Sequence, residues 1–83
     1  MKYATEKTFD GRRLSIGQTV IVRSVSQPCA TPATVLMVGD ADEVTLREAC
    51  SMHPIMGLKF VKTKTEDDIN ALSEGAWTWP VRV

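Results

Sequence analysis

The chain has 83 residues, 43% hydrophobic and 24% charged, which is the composition of one folded domain over residues 1–83 and argues against disorder. Its ten basic and ten acidic residues balance, so net charge does not draw the whole molecule to nucleic acid or to an anionic membrane. No apolar run approaches the roughly 20 residues of a membrane span, and the first residues lack the apolar stretch of a secretory signal. We therefore expect a cytoplasmic protein without membrane contact, whose cysteines are reduced.

The first half of the chain predicts β-strands joined by turns. Residues 3–9 alternate loosely between apolar and polar, and Asp10-Gly11 is a common hairpin turn because glycine tolerates positive φ. Residues 19–25, TVIVRSV, are β-branched at the centre and predict the strongest strand. Residues 33–39, ATVLMVG, are a continuous apolar run, which predicts a central strand buried on both faces.

The stretch from 44 to 53 is compatible with two structures. Read as a helix, it has Thr45 and Glu48 at capping-box spacing, and Pro54 would end it. Read as a hairpin, residues 44–47 return as a strand. The helix satisfies more independent signals, and we favour it; its inward face would carry Leu46, Ala49, Cys50 and His53.

The second half predicts a strand and then a short helix. Residues 57–64 alternate, with Leu58 and Phe60 on one face. Thr65 is placed to cap a helix whose first turn carries three acids, which complement the positive end of the helix dipole. Gly75 would take the left-handed position beyond the helix end.

The C-terminal residues AWTWPVRV predict one more strand. Alternation puts Trp77 and Trp79 on one face, while Thr78 and Arg82 lie on the other. Both indoles should cover the core. Pro80 cannot donate a backbone hydrogen bond, which predicts an edge strand, and one indole at that edge would also serve a partner surface.

These elements predict an α+β domain with a small antiparallel sheet of about five strands and one or two short helices. An SH3-like small β-barrel is the alternative, because residues 14–24 and 32–47 have the strand–loop–strand rhythm of such barrels if 44–47 is a strand.

Chemistry-bearing motifs are weak in this sequence. Cys50 and His53 form a C-x-x-H pair, but no second pair accompanies them, so we expect no metal and no cofactor. A nucleophilic Cys50 would need a base oriented by a third group, and no residue marks one. With no nucleotide-binding or hydrolase motif present, we expect a protein that is not an enzyme.

The sequence is most consistent with a protein-binding module that associates with another protein or with itself, as a homodimeric, accessory or inhibitory protein. An aromatic strand beside an arginine is typical of interface hot spots. The predicted partner-binding residues are Trp77, Trp79, Arg82, Arg12 and Arg13. The alternative is a nucleic-acid-binding module. It would use two basic groups, Arg12, Arg13 and Arg23 in the first and Lys59, Lys62 and Lys64 in the second.

Overall fold

The computed structural model describes residues 6–25, 27–38, 44–48 and 53–80, and these are mostly β-structure. Within these ranges, seven strands and one helix follow one another along the chain. The elements are β1 (Glu6–Phe9), β2 (Arg12–Ser15), β3 (Thr19–Arg23), β4 (Thr31–Val38), β5 (Val44–Glu48), β6 (Lys59–Phe60), α1 (Glu66–Asn70) and β7 (Ala76–Thr78).

Strands β1 and β2 form the predicted hairpin. They pair antiparallel, with Phe9 opposite Arg12. Asp10 and Gly11 both have positive φ, at 52° and 76°. A two-residue turn with positive φ at both positions has a backbone twist that fits the right-handed twist of the flanking strands. Asp-Gly permits this geometry, so the local prediction is confirmed, and the turn brings Arg12 to the end of the hairpin.

The other five strands form a curled sheet, half of a barrel, in the order β5-β4-β3-β7-β6. All neighbours are antiparallel except β6 and β7, which run parallel. Two backbone hydrogen bonds between Leu46 and Ile55, of 2.6 and 2.9 Å, also join the outer edge of β5 to the segment that leads into β6. The predicted α+β class is wrong, because the described helix is a single five-residue turn. The curled sheet is nearer in strand content to the barrel alternative.

The predicted helix beginning near residue 44 is wrong, because 44–48 is strand β5. Val44, Leu46 and Glu48 are buried while Thr45 and Arg47 are not, which is the two-residue period of a strand. Pairing with the apolar strand β4 outweighs the local capping signals, since β4 would otherwise leave one side of its backbone unpaired. Ala49 and Cys50 lie outside the described residues.

Strand β7 occupies the interior of the sheet, so the predicted edge strand is wrong. It lies between β3 and β6, and all three of its residues are buried, including Thr78 on the face opposite Trp77. Pro80 follows the strand and interrupts no backbone pairing within it. The predicted burial of the two tryptophans is confirmed, since Trp77 is 0% and Trp79 5% exposed.

Strand β4 is central, as predicted, but it is not covered on both faces, because Leu36 and Met37 are exposed. The strand predicted over 57–64 is shorter than expected and consists of β6 alone. Helix α1 begins as predicted. Thr65 accepts a bond from the backbone of Asp68, and the Asp68 carboxylate closes the capping box. Gly75 has positive φ but lies four residues beyond the C-cap, in the turn into β7.

We expect acid to destabilise the N-terminal capping box of α1 only at a pH below the ordinary pKa range of carboxyl groups. The backbone N–H of Lys64 and then that of Thr65 donate to Asp68 and hold its pKa below the usual 3.8. Because the folded pKa is the lower one, this contribution is complete above the unfolded pKa and is lost as pH falls through the folded value. An NMR titration of the Asp68 carboxyl carbon should give a midpoint below 3.8; a higher midpoint would show that the box is open.

The core lies inside the curl and under the hairpin. Its aromatic part brings together β1, β6 and the C-terminal tryptophans. Ring centroids lie 4.9 Å apart for Phe60 and Trp77, 5.0 Å for Phe9 and Trp77, and 5.5 Å for Trp77 and Trp79. Edge-to-face and tilted contacts at such distances stabilise aromatic clusters beyond their buried area. The remaining core members are Leu14, Val20, Val22, Ala33, Val35, Val38, Val44, Leu46 and Leu58.

Candidate partner-binding groove

A groove of about 220 Å³ lies where the hairpin turn meets the C-terminal tryptophans; we call it the Arg12 groove. It is smaller than the roughly 300–1,000 Å³ of typical small-molecule sites, so it suits one or two side chains of a partner better than a cofactor. Its lining combines charged, hydroxyl and aromatic groups from three parts of the chain. The lining residues are Asp10, Arg12, Phe60, Thr63, Lys64, Trp79 and Pro80.

One wall of the groove is built by the hairpin and Trp79. The indole Nε1 of Trp79 donates to the backbone carbonyl of Phe9 at 3.0 Å, which fixes the ring against the end of β1. The guanidinium of Arg12 lies 4.4 Å from the centre of the Trp79 ring. A cation over an indole face is attracted by the ring quadrupole. Arg12 is therefore positioned by the same side chain that joins hairpin and sheet.

The opposite wall is the segment 61–64, which continues from β6. The backbone N–H of Val61 donates to the Trp77 carbonyl at 2.9 Å, and the hydroxyls of Thr63 and Thr78 are 2.7 Å apart. Lys62 makes an ion pair at 3.4 Å with Asp10, which lines the groove. Both partners are exposed, so the pair contributes at most about 1 kcal/mol to stability. Its main effect on the groove is to neutralise Asp10.

The two tryptophans have different places at this site. Trp79 lines the groove with a small exposed surface, whereas Trp77 has none and supports the groove from beneath. Phe60 is half-buried and contributes its ring to both the groove and the core. Alternation along a strand explains why the two tryptophans share a side of the sheet.

The structure separates the other predicted binding residues. Arg13 is exposed and follows Arg12 in β2, so the two side chains project to opposite faces of the hairpin. Arg23 and Lys59 are both paired with Ala76, which places them on the side of the sheet opposite Trp77. Arg82 lies outside the described residues. The predicted basic groups therefore do not form one surface in the described part of the chain.

The metal candidates are not brought together either. His53 is exposed, and Cys50 lies outside the described residues. Cys29 is an exposed thiol. Among the residues that the structure describes, no three His, Cys, Asp or Glu side chains cluster as metal ligands would. The expectation of a protein without metal stays a prediction.

A buried carboxylate was missed by the sequence analysis. Glu48 is 1% exposed and accepts hydrogen bonds from the hydroxyls of Ser24, at 2.8 Å, and Thr31. It ties the end of β5 to the loop between β3 and β4. The available signal was the strand interpretation of 44–48, in which alternation puts Glu48 inward beside Leu46.

Two further depressions lie near the sheet. One of about 390 Å³ separates the segment 61–64 from α1, and it shares Thr63 and Lys64 with the Arg12 groove. The other, of about 260 Å³, is apolar and is bordered by Val25 and Met56, which are 80% and 75% exposed. Unlike the Arg12 groove, neither depression is lined, among the described residues, by a cationic side chain that packs against an aromatic ring.

Comparison with known protein families, with curated proteins and with solved structures finds no match for this chain. Across the described residues, no helix has both the length and the apolar character to cross a membrane.

Proposed function

We propose that this chain is a protein-binding module that acts by association rather than catalysis, and that the Arg12 groove is its partner-binding surface. The observation that carries the proposal is the Arg12 guanidinium, 4.4 Å from the centre of the Trp79 ring, at the wall of a groove. Arginine and tryptophan are the residues most enriched at interface hot spots, and such hot spots lie in pockets that a partner side chain fills.

The groove also has the rigidity that favours binding. Trp79 is fixed by its bond to Phe9, and Thr63 by its contact with Thr78. A surface whose side chains are already ordered loses less conformational entropy on association. The partner is another protein or a second copy of this chain.

Nucleic acid is less well supported as a ligand. Arg23 and Lys59 lie on the other side of the sheet from Trp77, so they do not extend the positive surface of the groove. The acidic first turn of α1, over residues 66–68, begins two positions after Lys64 and repels a long phosphate backbone.

Photo-crosslinking from the groove tests the proposal. A photoactivatable lysine analogue in place of Lys64 keeps the positive charge at the groove. The same analogue in place of the exposed Lys59 is the matched control, because that residue lies on the opposite side of the sheet. We expect one dominant protein product from Lys64 in cells that make the chain, and no such product from Lys59. A product of twice the chain mass would identify a second copy.

The captured protein must then bind the purified chain directly. Equal crosslinking of the same protein from Lys59 and Lys64 would contradict the proposal, because the interface would then not be centred on the groove. Crosslinking to nucleic acid alone would replace the proposed function with the nucleic-acid alternative.

A further inference from the structure

The charges at the Arg12 groove are unbalanced, although the whole chain is neutral. Among the described residues, Arg12 and Lys64 line it, and Asp10 is the one carboxylate of its lining and is paired with Lys62. The Asp68 carboxylate lies beside Lys64 and accepts its backbone N–H at 3.0 Å, so three cations face two carboxylates and leave an excess of one positive charge. A partner group that enters here meets a positive field strengthened by the low-dielectric walls of Phe60 and Trp79.

The geometry of Arg12 suits a carboxylate. A guanidinium binds a carboxylate through two parallel N–H···O bonds. The Arg12 guanidinium carbon lies 4.4 Å from the centre of the Trp79 ring, which holds this group at the wall of the groove. Lys64 supplies a second cation from the opposite wall. The aromatic rings and Pro80 give apolar contact to the methylene groups that carry a side-chain carboxylate.

We propose that the Arg12 groove binds a short acidic segment of the partner protein, with a Glu or Asp carboxylate between Arg12 and Lys64. This inference rests on the proposed function and specifies the chemistry of its partner. The size of the groove limits the recognised element to one or two side chains, and the nearby acids of α1 limit the length of an anionic ligand. Both features favour a short acidic peptide segment over a long phosphate backbone such as that of nucleic acid.

Titration with peptides whose termini are uncharged tests the proposed acidic ligand. Hexaglutamate and hexaglutamine peptides, a ten-nucleotide thymidine strand and inorganic phosphate are each titrated into isotope-labelled protein. The indole N–H signal of Trp79 and the amide of Lys64 report on the groove. We expect hexaglutamate to shift both signals saturably and hexaglutamine to leave them in place. Arg12→Gln should weaken hexaglutamate binding at least tenfold, while Arg13→Gln, on the opposite face of the hairpin, should change it less than twofold.

Each other result overturns the inference in a distinguishable way. Equal binding of both peptides would remove the acidic requirement but leave the groove as a protein-binding surface. Tighter binding of the thymidine strand or of phosphate would assign the cations to phosphate. No shift with any probe would refute an acidic ligand, and crosslinking from Lys64 would still decide the proposed function. Retained amide spectra of both variants show that the fold is intact.

Discussion

Replacement of Trp77 by alanine is expected to unfold most of the domain near physiological temperature. The indole is fully buried and is in contact with Phe9, Phe60 and Trp79. Removal of a buried Trp costs about 3–5 kcal/mol, a large part of the roughly 4–12 kcal/mol that holds together a domain of this size. The melting temperature should fall by about 15–30 °C, which thermal unfolding followed by circular dichroism will measure.

Two variants make this test specific. Trp77→Phe keeps an aromatic ring in the cluster and removes an indole N–H that has no acceptor within the described residues, so it should cost much less than alanine. Val61→Ala, at a residue that is 40% exposed, should change stability by less than about 0.5 kcal/mol. If Trp77→Ala melts with the parent, the indole is not part of the core.

Glu48→Ala is expected to destabilise the fold by about 2–4 kcal/mol although it removes a charged side chain. The change removes the carboxylate that accepts from the hydroxyl of Ser24, which is buried, and from that of Thr31, which is half-buried. Buried polar groups that lose a partner have no water to replace it. Urea denaturation gives the free energy of unfolding directly.

Arg47→Ala is the matched control for this prediction. Arg47 precedes Glu48 in β5 but is exposed, so its loss should change the free energy of unfolding by less than about 0.5 kcal/mol. Equal effects of the two substitutions would mean that the Glu48 carboxylate does not hold the loop between β3 and β4 to β5.

Features governed by neighbouring residues were predicted well from the sequence. The Asp10-Gly11 turn follows from the φ preferences of two residues, and the start of α1 follows from Thr65 and the acids after it. In both cases the deciding interaction lies within a few positions along the chain. Burial of Trp77 and Trp79 was predicted from their apolar stripe, but Thr78 between them is buried as well, so burial does not alternate there.

Features governed by distant pairing were not predicted. The stretch 44–48 carries helix-capping residues, yet it is a strand because β4 pairs with it. Strand β7 was placed at an edge because of Pro80, but pairing with β3 and β6 makes it internal. Such pairings depend on the whole sheet, so local propensity does not determine them.

The candidate site shows the same difference between features set by neighbouring residues and features set by distant pairing. The sequence indicated that Trp79 and Arg12 would take part in binding. It did not indicate that these two side chains, 67 positions apart along the chain, would be in direct contact. The ion pair of Asp10 with Lys62 and the shared groove of Arg12 with Lys64 likewise depend on the docking of the hairpin against the segment 61–64. Folding brings Arg12 of the first predicted basic group beside Lys64 of the second, while Arg23 and Lys59 lie on the other side of the sheet.

The affinity of the crosslinked partner for three forms of the chain tests the central claim most directly. Isothermal titration calorimetry of the purified partner with the parent, Arg12→Gln and Arg13→Gln compares two equal charge changes at adjacent residues. If the Arg12 groove is the binding surface, Arg12→Gln weakens the complex by about 1–3 kcal/mol while Arg13→Gln changes it by less than about 0.5 kcal/mol. Equal affinities for all three forms, with the fold retained, would contradict the account.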